Sequence, residues 1–378
     1  MTTAKLQSVD LNDWYQISNA FEIESPALLL YANRVEENIE RMIRIAGSAA
    51  RLRPHMKTHK LPELIRKQLA RGIDKFKCAT IAEAEMVAEC GARDVLLAYQ
   101  PVGPNAGRLC ALCQRFPNVR FSTTADDEGA VRALSETARR DGVTVDVLLD
   151  IDCGQHRTGI APGPSALELY RLISSLPGLN PGGLHAYDGH IHDRDVATRT
   201  KACEAAFAPV KAFCSQLEAA GLRVPRVVAG GTPTFPMHAA RGYVECSPGT
   251  CVLWDYGYAT NLPDLDFLPA AVLLTRVVSK PCANRLCLDL GHKAVASEMP
   301  HPRVRLLELP EAKFVAHNEE HLVVETERAA SFAVGDALYG IPWHVCPTVA
   351  LHSEAIVVRN GRAEERWPIV ARRRRLTI

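Results

Sequence analysis

Residues Val145–Asp188 read VDVLLDIDCGQHRTGIAPGPSALELYRLISSLPGLNPGGLHAYD. An apolar run over Val145–Asp152 is followed by a loop, an amphipathic stretch over Ser165–Ser175 and a second apolar run over Gly182–Asp188. Strand, helix, strand in that order spells a βαβ unit, whose strands pair in parallel across the helical crossover. The same alternation extends both ways. Strand-like runs at Leu52–Thr58, Phe76–Thr80, Val95–Tyr99 and Val119–Ser122 precede the unit, and Arg226–Gly230 and Tyr243–Ser247 follow it. Between them lie the helical patterns Leu61–Arg71, Ala82–Glu89, Glu128–Arg140 and Thr198–Ala220, with Gly72, Gly91, Gly142 and Gly221 near their ends as stop signals. Eight strands with intervening helices predict an α/β fold of the (β/α)8 TIM-barrel kind. The short link Thr232–Gly242 leaves room only for a stunted last helix.

Two segments fall outside this count. Ala27–Ala32 (ALLLYA) reads as a strand, separated from the first barrel unit by a helix over about Arg34–Ala46. After about residue 262 the pattern becomes β-runs with turns, including AAVLLTRVVS, HLVVET and AIVVRNGRAEERWPIVA, where RNGR is a hairpin signal. The expectation is a barrel over 24–260 and a mainly β second domain from 1–23 and 261–378. Arg372–Arg375 reads as a solvated tail.

The composition narrows the function. With 44 Lys+Arg against 43 Asp+Glu in 378 residues, the chain has no global positive excess with which to hold a nucleic-acid backbone. No apolar run reaches the length of a membrane span, and the start, MTTAKLQSVDLNDWYQ, lacks the apolar core of a signal peptide. A cytoplasmic protein with a small-molecule substrate, and with neither nucleic-acid nor membrane partners, is expected. Twelve cysteines are too sparse in so long a chain for a disulfide framework. The Cys110-x-x-Cys113 pair lies in a helical pattern without a second ligand pair, and reads as packing.

In a barrel of this kind chemistry collects where the strands run out. The first strand ends in Arg53-Pro-His-Met-Lys57-Thr-His-Lys60. A lysine at a strand end beside other cations can lose its proton readily and form a Schiff base, although a basic turn in solvent would read the same way in isolation. The seventh strand runs into Ala229-Gly-Gly-Thr232-Pro-Thr234 and the eighth into Ser247-Pro-Gly-Thr250. Two glycine–threonine turns on adjacent strand ends offer backbone N–H groups and hydroxyls to a phosphate. A phosphate-bearing aldehyde, pyridoxal 5′-phosphate (PLP), fits both features.

With RPHMKTHK, KCATIAEAE, DIDCGQHRTG, HAYDGH, AGGTPT and HVCPTVALH in this order, the chain resembles the D-threonine aldolase and D-serine dehydratase family of fold-type III PLP enzymes, whose barrel is similar to that of alanine racemase. The resemblance implies that Lys57 carries the cofactor and that Arg157 lies against its pyridine ring. It also implies that Tyr187 packs beside it and that Gly231, Thr232, Gly249 and Thr250 hold its phosphate. An arginine there cannot give up its proton, which moderates the ring as an electron sink. Arg53, Lys57 and Arg157 are expected to form one cluster of positive charge for a phosphate and a carboxylate.

His344 and Cys346, in PWHVCPT, are two residues apart, and in an extended segment both point to one side, where imidazole and thiolate can share a metal. The resemblance places this segment over the barrel mouth with a divalent ion, zinc, manganese or magnesium. Aldolases of the family often have a carboxylate in place of the cysteine, so Cys346 leans toward the dehydratase branch. Lys57 is the candidate base for the Cα proton, and His192 and His190 are the candidates for a substrate hydroxyl proton, with Asp193 beside them. The expected activity is a PLP- and metal-dependent lyase of β-hydroxy-D-amino acids, leaning to retro-aldol cleavage of D-threonine. The alternatives are β-elimination from D-serine or D-3-hydroxyaspartate, and a non-enzymatic PLP homeostasis protein. A homodimer is implied by the likeness alone.

Overall fold

The computed structural model describes residues 13–378. Residues 1–12, on which the reading of the chain's start and part of the 1–23 segment fall, lie outside the described residues. After β1 (Ala27–Tyr31) the chain lays down β2 (Lys75–Cys78), β3 (Asp94–Leu97), β4 (Arg120–Ala125), β5 (Val145–Ile151), β6 (Leu179–Ala186), β7 (Val227–Ala229) and β8 (Val244–Cys246). Strands β2 to β8 pair in parallel in chain order, with helices between them. The helix between β7 and β8 is indeed stunted, Phe235–Ala240.

The strand expected at Leu52–Thr58 is reduced to two parallel bridges, Leu52 to Cys246 and His55 to Lys77. Pro54 has no N–H to donate, so no continuous ladder forms, and a 3-10 turn begins at Met56. Closure survives because Arg53 N–H donates to the Cys246 carbonyl at 2.8 Å, His55 N–H to that of Pro248 at 3.0 Å, and Lys77 N–H to that of Pro54 at 2.9 Å. The ring is thus an eight-membered parallel α/β barrel, with its first member pared down.

Inside the ring the side chains stack in layers. Leu96, Leu148 and Val228, from alternate strands, form a small buried apolar plug. Two residues earlier on the same strands come Asp94, Asp146 and Arg226, which build a charged floor with the fully buried Arg53. Arg53 donates to Asp94 at 2.7 Å and to Glu245 at 2.7 Å. Lys75 reaches Glu245 at 2.8 Å, and Arg120 and Arg226 reach Asp146 at 2.5 and 3.3 Å. This corrects the expectation that Arg53 joins Lys57 and Arg157 in the pocket. An arginine without solvent needs carboxylate partners, and the two that Arg53 takes, Asp94 and Glu245, face the opposite end of the barrel.

The second domain is a mixed sheet. Its strands are β9 (Ala271–Cys282), β10 (Arg285–Leu288), β11 (Val304–Leu306), β12 (Lys313–His317), β13 (Leu322–Glu325), β14 (Ala337–Pro342), β15 (Glu354–Arg359) and β16 (Arg362–Pro368). The long β9 is its spine, pairing with β1, β10 and β14. By pairing, β1 stands with this sheet, antiparallel to β9 and parallel to β15, although the 24–260 division counts it with the barrel. Its five residues are all buried, as a strand covered on both faces requires. The RNGR turn forms as expected, with Asn360 and Gly361 both at positive φ between β15 and β16. No helix among the described residues is long and apolar enough to cross a membrane.

Replacing Arg53 with Met leaves Glu245 with Lys75 alone and Asp94 with only the more distant Arg226, and unfolding stability in urea should fall by about 3 kcal/mol. Burial raises the carboxyls of Asp94 and Glu245, but Arg53 overrides this and both are held below their ordinary values of 3.8 and 4.5. Their contribution is therefore complete above about pH 4.5 and fades as the pH falls through the depressed folded values, an acid sensitivity that Arg53→Met should lose.

Candidate active site

The segment after Pro54 is held from several sides. His55 Nδ1 accepts the Lys57 N–H at 3.3 Å, and His59 Nδ1 accepts the Leu61 N–H at 3.0 Å. Burial pushes both imidazoles down, His59 to about 3, so they act as neutral acceptors that fix the turn. Lys60 pairs with the buried Glu83, whose other oxygen accepts the Ala79 N–H at 2.6 Å. Thr80 caps the helix Ile81–Glu89 through the Glu83 N–H at 3.1 Å. KCATIAEAE therefore anchors the lysine turn to the neighbouring strand end.

Lys57 emerges half-buried from this turn, its Nζ 5.8 Å from the ring centroid of Tyr187. Arg157, from the loop after β5, places its guanidinium carbon 5.0 Å from the same centroid, and Lys77 Nζ lies 5.5 Å from it. Three cations thus converge on one aromatic ring. Arg157 itself is exposed and does not take Asp150 or Asp152 as an ion-pair partner; Asp150 binds His185 Nδ1 at 2.6 Å instead. Glycine is required around Tyr187: a Cβ on Gly189 would come within 2.4 Å of the ring, and one on Gly231 within 3.0 Å.

The two glycine–threonine turns meet. The Thr232 hydroxyl accepts the N–H groups of Gly249 and Thr250, each at 3.2 Å, and the Thr234 hydroxyl accepts that of Gly231 at 3.3 Å. Thr234 in turn donates to Asp188 Oδ1 at 2.8 Å, and Asp188 Oδ2 holds His238 Nε2 at 2.8 Å. Burial raises the Asp188 carboxyl, but His238 and Thr234 override it and keep it ionised. A buried chain of hydrogen bonds thus fixes the backbone donors. A Cβ on Gly249 would lie 3.1 Å from the Thr58 hydroxyl, so this glycine leaves room next to the lysine turn.

His344 and Cys346 come to the same mouth. Contrary to the extended segment expected there, only His344 is extended; Cys346 lies in the first turn of the helix Val345–Leu351. The reason is a helix start fixed by the barrel, because the buried Asp255 accepts the Val345 N–H at 3.0 Å through one oxygen and the Tyr258 N–H at 2.9 Å through the other. Burial pushes the Asp255 carboxyl up to about 6. Gly257 N–H donates to the Trp343 carbonyl at 3.0 Å, an approach that any Cβ would block. Cys346 Sγ lies 3.3 Å from the Thr58 hydroxyl and 3.7 Å from that of Thr250, between the lysine turn and the eighth-strand turn. Burial raises its thiol, but the facing imidazole of His344 outweighs this and lowers it. His344 Nδ1 is held by Glu298 at 2.5 Å, and the imidazole also hydrogen-bonds the Cys346 thiol.

His190 and His192 are exposed in the loop after β6. His190 Nε2 packs over Gly154, at the loop that carries Arg157, and neither histidine hydrogen-bonds to Lys57, Tyr187 or the His344–Cys346 pair. Sequence reading missed Lys77, Asp255, Glu298 and the Asp188–His238 pair. Of these Asp188 and Lys77 had a signal, the first beside Tyr187 in HAYDGH and the second as the opening residue of KCATIAEAE. The donor atoms of Asp188, Cys203 and His238 also lie within 4.8 Å of one another. They already satisfy each other, however, and burial pushes the Cys203 thiol up to about 12.

Residues 31–257 match the family model described as the alanine racemase N-terminal domain, and residues 270–358 the one described as a putative serine dehydratase domain. D-threonine aldolase of Arthrobacter sp. is 32% identical, over 93% of this chain and 93% of its own. D-threo-3-hydroxyaspartate dehydratase of Delftia sp. is 26% identical, over 87% of this chain and 92% of its own. The crystal structure of D-threonine aldolase from Filomicrobium marinum superposes with a TM-score of 0.86 at 30% identity, covering 94% of this chain and 97% of that one.

Thr234→Val cuts the link between Asp188 and the Gly231 N–H. It should weaken PLP binding to the apoprotein by roughly tenfold, about 1.4 kcal/mol, with far-UV circular dichroism unchanged. Unaltered affinity would show that the turn holds its shape unaided.

Proposed function

The chain belongs to the alanine racemase-like, fold-type III family of PLP enzymes and is a PLP-dependent lyase, and we propose that it cleaves β-hydroxy-D-amino acids by a retro-aldol reaction, taking D-threonine to glycine and acetaldehyde. What supports a lyase on such substrates, whichever bond breaks, is one juxtaposition: the Cys346 thiol rests 3.3 Å from Thr58, the residue after Lys57, so amine and candidate metal pair serve one mouth. The identity of 32% with an aldolase, against 26% with a dehydratase, favours carbon–carbon cleavage. The named lyases among these relatives leave no support for a PLP homeostasis protein.

The pocket fits the cofactor by its own unsatisfied chemistry. His185 Nε2 and Ser247 Oγ are buried without partners among the described residues, and the N–H groups of Gly249 and Thr250 share a single acceptor, the Thr232 hydroxyl. In this proposal Gly231, Thr232, Gly249 and Thr250 hold the phosphate and Lys57 Nζ takes the aldehyde. Tyr187 supports the ring and Arg157 keeps an anionic group beside it. Bound PLP supplies an electron sink for the bond that breaks at Cα.

His344 and Cys346 suit a divalent ion, with Glu298 orienting the imidazole as carboxylates commonly do for metal-bound histidines. Thiolate with imidazole favours zinc, while manganese or magnesium would draw more on carboxylate oxygen. Such an ion supplies Lewis acidity for a substrate β-oxygen. His192, or His190 in its place, accepts the hydroxyl proton at a ring nitrogen, a role their exposed loop permits once substrate covers it. Lys57 Nζ moves the proton at Cα. The homodimer belongs to the same proposal.

A second reading rests on Cys346. A thiolate in the metal pair, together with the dehydratase relative, favours β-elimination to a 2-oxoacid and ammonia. Incubating metal-loaded enzyme with D-threonine and with D-serine separates the two. Glycine plus acetaldehyde is expected from the first, whereas pyruvate from D-serine with no glycine from D-threonine would reverse the assignment. His344→Ala and Cys346→Ala should lose activity at least a hundredfold yet keep the yellow of bound PLP, and activity resistant to EDTA would remove the metal from the reaction.

A further inference from the structure

Lys77 is the one buried amine that the reading above leaves without a task. It is 2% exposed, and among the described residues its Nζ makes no ion pair and no hydrogen bond. Lys75, two residues before it on the same face of β2, reaches Glu245 on the barrel floor, so Lys77 points inward as well, level with Leu96 of the apolar plug and below Tyr187. The charged and titratable groups that face it are Arg53, His55 and Lys57 from the first-strand segment, Asp150 from β5, and His185 and Asp188 from β6 and the residues after it. Asp150 and Asp188 are already held by His185 and His238. Burial and the neighbouring Lys57 pull the amine down to about 7. An unpaired buried amine costs stability, and a fold keeps one where a ligand will meet it.

The order of the strands identifies that ligand. Lys57 follows the segment that bridges β8 on one side, through Leu52 and Cys246, and β2 on the other, through His55 and Lys77. On the PLP ring the aldehyde is flanked by two substituents, the phosphate arm on one side and the anionic ring oxygen on the other. With the aldehyde at Lys57 and the phosphate arm turned to the β7 and β8 turns, the ring oxygen is left facing β2. We propose that Lys77 Nζ donates a charge-assisted hydrogen bond to this ring oxygen and so sets the ionisation of the bound cofactor. The proposal rests on the PLP reading, and no covalent bond to Lys77 is involved.

Lys77→Met keeps the volume and removes the charge. The apoprotein of this variant should melt higher than wild type, because an unpaired buried amine is gone, while PLP binding, titrated by its absorption, weakens at least tenfold. In the holoprotein the pH midpoint of the visible band should rise by about one unit, since a cation near the ring oxygen favours its ionised form. Lys77→Arg, which restores the charge, should bring the midpoint back toward wild type. A yellow wild type beside a Lys77→Met protein with the same affinity and the same midpoint overturns this proposal alone, as does a Lys77→Met apoprotein that melts lower than wild type. A wild type that stays colourless with PLP, or keeps its band in Lys57→Ala, overturns the cofactor reading and this proposal with it.

Discussion

The buried guanidinium of Arg53 is the constraint on which the rest of the barrel depends. The segment that carries it has a proline in its centre and makes only two bridges to its neighbours, too few to hold a strand in a closed ring. Ion pairs across the interior to Asp94 and Glu245 tie it down from within. Burying a guanidinium is unfavourable unless carboxylates meet it, so the two ion pairs favour the placement of the segment that makes both. Lys57 lies four residues downstream, and its position follows from that placement. The same network consumes one of the cations that the sequence offers to the pocket, which leaves Lys57, Lys77 and Arg157 to meet at Tyr187.

A second constraint joins the two domains. Asp255 has two carboxylate oxygens and spends one on the barrel side, at Tyr258, and one on the β-domain side, at Val345. Trp343 closes on Gly257 next to it. These backbone contacts fix where the helix Val345–Leu351 begins, and hence where Cys346 stands relative to Thr58. The chemistry proposed for the mouth therefore needs both domains, the amine from one and the thiol from the other.

Much of the fold was legible because period and turn chemistry are local. Alternation of β-runs and amphipathic stretches gave the barrel, the RNGR turn gave a hairpin, and glycines with threonines marked the strand ends where backbone donors gather. The lysine turn was legible from its place at a strand end and the HVC segment from the two-residue spacing of its imidazole and thiol, whereas Tyr187 came with the family resemblance. Other features were hidden because they depend on partners far away in the chain. Arg53 reads as one more cation of RPHMKTHK until Glu245, 192 residues on, is seen to pair with it. KFKC reads as an ordinary strand, since period two cannot tell which face of a barrel strand looks inward. The helix start at Val345 depends on an aspartate 90 residues earlier.

The architecture and the residue types available for chemistry follow from local patterns, because strand and helix periods, proline breaks and glycine turns act over a few residues. Which of those residues share a cavity, and in what state of charge, is set by the folded ring. Ionisation and hydrogen bonding inside a protein depend on distance and burial, and both are properties of the closed ring rather than of any segment in it.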